Sequence, residues 1–308
     1  MKVISYNSSN KKNNIFFSFF KDEKKYLPTL LLMPAIIIVL SVVAFPMLYS
    51  LIISFTDFSL LKPGVFNFVG FNNYINILQD IVFWQSFGRT IIFITIALLV
   101  EIILGLIIAN MMSHVIRGQS VLRTMMMMPM MFAPVLVGFQ FKWFFNDQVG
   151  LLNNILYAIS GRLVTIPWLV NKPLGFITIL IAEIWMSTPF LVIVFLAGIL
   201  GIPQEVFEAA EVDGASEWNK FRFITIPYIA PFIYIGMAIR ILGISKAYDL
   251  VILMTSGGPA NRTELIWTYV YKLAFVRQEF ALGTAMSYIT VIISWVLVFF
   301  FYRRLLKK

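Results

Sequence analysis

Cysteine is absent from this 308-residue sequence, and histidine occurs once, as His114. Without cysteine, the chain has neither a disulfide framework nor thiolate metal sites. His114 lies in a short turn between apolar segments, where it can build neither a His-based triad nor a His metal cluster. A G-x-x-x-x-G-K-[ST] phosphate loop is also missing. The sequence therefore predicts no cofactor on this chain. Because the chain lacks the usual ATP-binding loop, any process driven by ATP would need another polypeptide to bind the nucleotide.

Charge is scarce as well. Only 13% of the residues are charged and 60% are hydrophobic, and the mean hydropathy is +0.86. This composition exceeds what a soluble globular surface tolerates and indicates a membrane protein. The net charge of +9 could suggest nucleic acid, but the basic residues cluster at the ends of apolar runs, where they anchor to lipid headgroups. We expect membrane lipids, and no nucleic acid, as partners.

Apolar runs long enough to span a membrane occur repeatedly. A transmembrane helix needs roughly 20 apolar residues, and the sequence predicts six such helices in an all-α, polytopic membrane protein. They are Leu27–Phe55, Thr90–Met112, Met125–Phe145, Phe176–Leu200, Tyr228–Leu253 and Thr284–Tyr302. Prolines inside several of them, such as Pro134, predict kinks.

Lysine and arginine set the predicted orientation. They concentrate in residues 1–26, around Arg117 and Arg123, at Lys220 and Arg222, and at the carboxyl end. By the positive-inside rule, these segments are cytoplasmic and both termini lie inside. The division that follows is a cytoplasmic tail at 1–26 and a transmembrane domain at 27–308. The polar loop 201–227 then also faces the cytoplasm.

Loop 201–227 carries helix signals between two apolar segments. Pro203 suits the first helical position, Glu205 complements the positive end of the helix dipole, and Gly214 can adopt the left-handed conformation that closes a helix. Ser216 can cap a second short helix, which Pro227 is expected to end. Amphipathicity alone predicts a solvated loop helix between two membrane spans.

The order of residues in this loop resembles a known signature. Glu208-Ala209-Ala210, then Gly214, then Ile226-Pro227 resemble the EAA motif of the membrane subunits of ABC importers. The resemblance implies a cytoplasmic coupling helix that docks into a groove on an ATPase subunit. The residues that it marks for coupling are Glu205, Glu208, Ala209, Ala210, Asp213, Gly214 and Ala215.

A second segment narrows the resemblance to carbohydrate permeases. A pattern follows the fifth span in maltose, glycerol-phosphate and trehalose type permeases, and this sequence resembles it at Tyr248-Asp249, Gly257-Gly258-Pro259, Thr263 and Ala274-Phe275. These permeases work in pairs, and the resemblance is to the member of the pair that is similar to the larger permease of the maltose system. Gly257, Gly258 and Pro259 form a predicted external turn. The resemblance implies a permease subunit, not itself an enzyme, of a binding-protein-dependent ABC importer in the cytoplasmic membrane, translocating a sugar or small oligosaccharide.

That resemblance also implies a set of partners. They are a second homologous permease subunit, two cytoplasmic ATPase subunits that carry ATP and Mg, and an external solute-binding protein.

Four ionisable residues fall inside the predicted spans, namely Glu101, Glu183, Arg240 and Lys246. Such groups are costly in a membrane and usually face a bundle interior or a cavity. They could form salt bridges between helices, or they could line the solute path. The family resemblance implies solute contacts at Glu183, Trp185, Met186, Ser187 and Phe190, and at Arg240, Gly243, Ile244 and Tyr248. The charges on Glu183 and Arg240 depart from the maltose pattern and indicate another sugar, or a solute with a charged part.

Other functions stay open at this point. An ABC permease for another solute such as glycerol phosphate is the nearest alternative. An ion-coupled secondary transporter could use Glu101 and Glu183 as ion sites. The run Met125–Met128 could supply soft metal ligands, although flexible apolar packing explains it better. An intramembrane enzyme is disfavoured because the spans carry no paired catalytic acids and no nucleophile with its base.

Overall fold

The computed structural model describes residues 23–62, 64, 66–114, 117–162 and 165–305. Within them the chain is helical and no named β-strand occurs, which confirms the all-α class. The helices are α1 (Glu23–Val39), α2 (Phe45–Ile53), α3 (Asn72–Gln79), α4 (Ile81–Ser113), α5 (Gln119–Met131), α6 (Pro134–Phe144), α7 (Leu151–Ser160), α8 (Lys172–Leu200), α9 (Gln204–Val212), α10 (Glu217–Lys220), α11 (Ile226–Ile244), α12 (Asp249–Met254), α13 (Ile266–Tyr271) and α14 (Phe280–Leu305). Most of the predicted tail 1–26 lies outside the described residues, and α1 already begins at Glu23.

Four helical segments are long and apolar enough to cross a membrane. They are Leu30–Ile53, Ile81–Ser113, Pro173–Leu200 and Glu217–Ile244. The bent pair α5 and α6 makes a fifth if it counts as one span. Helix α14 has 26 residues, but Phe280–Val296, an apolar part of it, is by itself shorter than a span. The described residues thus give four or five candidate spans where the sequence predicts six.

Two predicted spans have other boundaries in the structure. Helix α4 begins at Ile81, well before the predicted Thr90, because the Asp80 carboxylate caps it by accepting a 2.8 Å hydrogen bond from the backbone N–H of Val82. Helix α11 ends at Ile244, and the prediction of a span through Leu253 is wrong. After Ile244 the hydrogen bonds no longer follow the α-helical pattern, because the N–H of Lys246 bonds to the carbonyl of Gly243, three residues back instead of four. Helix α12 then starts at Asp249.

The third predicted span is broken in its middle. Helices α5 and α6 meet at 88°, because Pro134 disfavours helical backbone at the preceding residue and lacks an N–H of its own. Phe132 and Ala133 are accordingly extended, with ψ of 141° and 135°. Both residues are exposed on the surface of the chain. The expected proline kink is therefore a full break, and its backbone is uncovered.

Two other prolines sit directly after π-helical turns. The turn Leu40–Ala44 joins α1 to α2 just before Pro46, and the turn Phe221–Thr225 joins α10 to α11 just before Pro227. A wider turn accommodates the hydrogen bond that proline cannot donate. The helix that starts at Glu217 therefore continues into the membrane span, and the prediction that Pro227 ends it is wrong.

Helices α4 and α8 form the centre of the bundle. They approach closely at Gly105, where an added Cβ would lie 3.1 Å from atoms of both Leu191 and Phe195. Helix α11 packs on the same pair, and an added Cβ at Gly236 would come 2.8 Å from Leu191. The segment Leu30–Ile53 is peripheral and almost entirely exposed. Near its end, it is tied to α14 by a 2.9 Å hydrogen bond between the hydroxyls of Ser50 and Tyr288.

Candidate functional site

Three ionisable side chains from the three central helices meet inside the bundle. Arg240 on α11 donates two hydrogen bonds of 2.8 Å to the carboxylate of Glu101 on α4, from Nε and from Nη2. The same Nη2 donates a 2.8 Å bond to Glu183 on α8. Glu101 is fully buried, and the Arg240 side chain is 12% exposed. We call these three residues the ion triad.

The ion triad extends by one polar neighbour along α8. Ser187, one helical turn after Glu183, donates from Oγ to Glu183 Oε1 at 3.2 Å and is itself buried. Of the four ionisable residues considered from the sequence, only Lys246 stands apart: it follows the end of α11 and is exposed. The structure therefore brings Glu101, Glu183 and Arg240 into direct contact.

Trp185 points to a different side of α8 from Glu183. It is 40% exposed, and its ring lies 5.5 Å from that of Phe141 and 6.4 Å from that of Phe132, centroid to centroid. Phe132 is the first residue of the helix break. The neighbouring residues Met186 and Phe190 are partly buried and pack against two different core clusters. Trp185 is thus the member of this stretch that offers an accessible aromatic face next to the break.

The solute contacts expected on α11 and just after it, Gly243, Ile244 and Tyr248, lie in three different surroundings. Ile244 is 1% exposed and belongs to the hydrophobic core, so it presents no surface to a solute. Gly243 lies on the exposed side, close to Arg240: an added Cβ would be 3.2 Å from Nη1. Tyr248 lies beyond the helix end and packs edge-on against Tyr271, with centroids 5.4 Å apart. The expected solute contacts therefore do not converge on one surface within this chain.

The loop with the EAA-like motif is closed by backbone hydrogen bonds. Pro203 is the N-cap of α9 and not its first helical residue. At the other end, the N–H of Ala215 bonds to the carbonyl of Ala210 at 2.9 Å, and that of Gly214 to the carbonyl of Glu211 at 3.0 Å. This pair of bonds is the Schellman motif, and Gly214 has the left-handed φ of +75° that it needs. Glycine at 214 is therefore a requirement of the local fold.

The outer surface of this loop is uncovered. Glu205, Glu208, Ala209, Asp213 and Gly214 are exposed, while Ala210 and Ala215 are half-buried. Val206 and Phe207 on the opposite side of α9 pack against the core cluster around Leu191 and Ile229. Helix α9 is thus anchored to the bundle by one face, and Glu205, Glu208 and Ala209 are exposed on the other.

Lys220 holds the end of α9 against the start of α10, which the sequence did not reveal. Its Nζ lies 2.9 Å from Glu211 Oε1 and 2.5 Å from Glu217 Oε1, and its side chain is 9% exposed. Ser216 caps α10, as predicted, by accepting a 3.3 Å hydrogen bond from the N–H of Asn219. The i, i+3 spacing of Glu217 and Lys220 was the available signal, because such pairs face each other on a helix.

The Gly-Gly-Pro turn encloses a buried carboxylate that sequence reasoning missed. Glu264 is fully buried and forms a salt bridge with Lys272. Gly257 has a φ of +76°, and a Cβ there would come within 2.2 Å of Glu264 Oε2. Gly257 is thus required both by its backbone conformation and by the carboxylate packed against it. An added Cβ at Gly258 would come no closer than 3.3 Å, to the carbonyl oxygen of Thr255.

The methionine run and the possible metal chemistry can also be placed. Met125, Met128 and Met131 are exposed by 60%, 56% and 78%, whereas Met126 packs into a core cluster. Within the described part of the chain, no group of three or more His, Asp or Glu side chains could hold a metal ion. The run therefore forms part of an exposed apolar surface beside the helix break.

Comparison with known proteins identifies relatives over most of the chain. The family model for "binding-protein-dependent transport system inner membrane component" matches residues 101–307. The probable ABC transporter permease protein y4oQ of Sinorhizobium fredii is 33% identical over 261 residues, which are 84% of each chain. The trehalose/maltose transport system permease protein MalF of Thermococcus litoralis is 30% identical, over 88% of this chain and 91% of that protein.

A solved structure shares the fold as well. It is the crystal structure of a bacterial ABC transporter involved in the import of the acidic polysaccharide alginate. One of its chains superimposes with a TM-score of 0.78 at 26% identity, covering 92% of this chain and 96% of that one. The helical arrangement around α4, α8 and α11 is therefore that of a known transporter subunit.

Proposed function

Because this chain belongs to the family of binding-protein-dependent transport system inner membrane components, we propose that it is one permease subunit of an ATP-driven importer for a sugar or small oligosaccharide. The relatives named for trehalose and maltose transport support a sugar as the solute. The observation that carries the mechanism is the exposed α9 loop, which is closed by a Schellman motif and anchored to the α8–α11 core.

The proposed topology has six spans with both termini in the cytoplasm. Its support is the set of four clear spans, the bent α5–α6 pair and the 26-residue helix α14, together with the positive-inside bias. This arrangement puts α9 on the cytoplasmic side. Two ATPase subunits would bind ATP and Mg and hydrolyse the nucleotide, a second permease subunit would complete the pathway, and an external binding protein would deliver the solute.

Coupling runs through the face of α9 that the bundle leaves open. Val212, the last residue of α9, is 89% exposed, and such apolar surface outside a membrane span favours burial against a partner. Movement of the docked ATPase is transmitted because Val206 and Phe207 fix α9 to the core cluster that also contains Leu191. Closure of the ATPases would then rock α8 and α11 and expose the pathway to the outside.

The solute path that we propose runs past Trp185 and, on a separate surface of this chain, past Gly243 beside Arg240 of the ion triad. An exposed aromatic face packs well on the apolar face of a sugar ring, and neighbouring polar groups take its hydroxyls. In the ion triad a single guanidinium faces two carboxyl groups, so its positive charge is already paired and is not free to bind an anion. This balance disfavours an anionic solute such as glycerol phosphate and favours a neutral sugar.

The coupling assignment is tested by two substitutions in the purified transporter in liposomes. Gly214→Val places a side chain at a left-handed φ, which costs roughly 1–2 kcal/mol for a non-glycine residue, and Glu208→Lys reverses a charge on the open face of α9. We expect both variants to assemble poorly with the ATPase subunits and to hydrolyse ATP without transport. The matched control is Asn219→Ala, an exposed side chain in the same loop that makes no hydrogen bond in the structure. Normal assembly and transport in both variants would contradict the assignment.

The ion-coupled alternative has a separate test. The chain reconstituted without ATPase subunits, under an imposed proton or sodium gradient, is expected to accumulate no solute. Uphill accumulation under these conditions that is lost in Glu101→Gln would establish a secondary transporter.

A further inference from the structure

A cavity with two arginines in its lining lies far from the ion triad, where the first turns of α4 and α8 meet the loop after α12. Its volume is about 610 Å³, and its lining includes Gln85, Arg89 and Ile92 from α4, Phe176 from α8 and Arg262 from the loop. Arg89 precedes Glu101 on the same helix by a separation of about 18 Å along the axis. The cavity is therefore separate from the proposed solute contacts.

The two arginines of this cavity have no carboxylate partner among the described residues. Arg89 donates from Nε to the backbone carbonyl of Glu264 at 3.0 Å and from Nη2 to Ser86 Oγ at 3.3 Å. The carboxylate of Glu264 is bound to Lys272, and Arg262 is exposed and forms no salt bridge. Two guanidinium groups that share a cavity repel each other, and an anion between them removes this repulsion. Phosphate is the group that arginine's fork of donors fits best besides carboxylate.

The cavity opens onto an apolar stripe of α4. Ile92, Ile96, Leu99 and Ile103 are 53%, 40%, 56% and 56% exposed. Their spacing of four, three and four residues puts them on one face of the helix, the same face as Gln85 and Arg89. From Ile92 to Ile103 the stripe is about 16 Å long, and half of a hydrocarbon core of about 30 Å is nearly the same length. The stripe therefore matches one leaflet's acyl chain.

We propose that this cavity and stripe bind an anionic phospholipid. Its phosphate lies between Arg89 and Arg262, and an acyl chain follows Ile92, Ile96, Leu99 and Ile103. A free phosphate ion would use the arginines and leave the stripe without a function, and a neutral sugar would leave the charges unmatched. Arginine binds phosphate oxygens in this way through two parallel N–H···O hydrogen bonds.

Photolabelling of the assembled transporter in nanodiscs tests the proposal. The probe is a phosphatidylglycerol with a diazirine in one acyl chain, and labelled peptides are read by mass spectrometry. We expect label at Ile92, Ile96 and Leu99. Each basic residue near a membrane surface contributes about fivefold to the affinity for an anionic lipid, so the double variant Arg89→Gln/Arg262→Gln should be labelled roughly 25-fold less. Arg162→Gln removes an exposed charge outside the cavity and should leave the label unchanged.

The single variant Arg262→Gln protects the test against misfolding, because this loop side chain makes no hydrogen bond in the structure. It should lose about fivefold of the label, while a diazirine phosphatidylcholine should label weakly and equally in all variants. Unchanged phosphatidylglycerol labelling in both arginine variants would overturn the proposal. So would competition by millimolar inorganic phosphate that removes the label completely, which would assign the cavity to a free anion. Crosslinks from the stripe to another subunit in place of lipid would show that a protein covers it.

Discussion

Replacing Arg240 with methionine should destabilise the bundle strongly. Arg240 makes three charge-assisted hydrogen bonds of 2.8 Å, and bonds of this kind contribute about 1.5–3 kcal/mol each. Part of the lost stabilisation is recovered at Glu183, because this carboxylate is slightly exposed to water and still accepts the hydrogen bond from Ser187. Glu101 is fully buried and keeps no partner. The expected cost is therefore about 3–5 kcal/mol, the range for removing one member of a buried ion pair.

The assay is thermal unfolding of the purified transporter, followed by tryptophan fluorescence. A loss of this size should lower the unfolding midpoint by about 6–20 °C. The triple variant Glu101→Leu/Glu183→Gln/Arg240→Met removes both acids with the arginine and should regain most of the loss, because no unpaired charge stays buried. Arg240→Lys keeps the charge without the bidentate geometry and should fall between the two. A midpoint for Arg240→Met within 1–2 °C of the natural protein would refute the pairing, since the expected shift is several times larger.

Three further outcomes follow from the structure. Gly257→Ala should destabilise the Gly-Gly-Pro turn by about 1–3 kcal/mol, because φ is +76° and the new Cβ would collide with Glu264; limited proteolysis of the turn measures this. Gly105→Val should overpack the α4–α8 contact at Leu191 and Phe195 and cost about 1–3 kcal/mol, seen as a lower unfolding midpoint. Lys220→Met should loosen α9 and raise the ratio of ATP hydrolysed to solute transported, without lowering the unfolding midpoint. Lys220→Arg should restore that ratio, and an unchanged ratio in Lys220→Met would contradict the prediction.

Local features of the chain were predictable from short stretches of sequence. The helix closure at Gly214 and the cap at Ser216 depend on a few neighbouring residues, and both are present in the structure. The all-helical class followed from the lengths of the apolar runs. The family resemblance rested on motif residues in loop 201–227 and after α11, and the match over residues 101–307 confirms it.

Features that depend on tertiary contacts were not predictable in the same way. The cost of a charge in a membrane indicated that Glu101 and Arg240 need partners, but periodicity does not say which residues 139 positions apart will meet. Apolarity alone could not end α11 at Ile244, because the residues up to Leu253 are again largely apolar. Glu264 gave no signal at all, since its burial depends on the turn at Gly257 and on Lys272, which directly follows α13.

The uncovered break between α5 and α6 has a consequence for the life of the protein in the cell. The Phe132 N–H and the Ala133 carbonyl have partners within the chain, but the peptide group that joins the two residues makes no backbone hydrogen bond. It cannot rest against acyl chains, because nothing in lipid can take its hydrogen bonds. A copy that has not yet met its assembly partners therefore carries a polar defect in the bilayer. We expect such orphan copies to be short-lived targets of membrane quality-control proteases, so that the abundance of this subunit follows the supply of its partners.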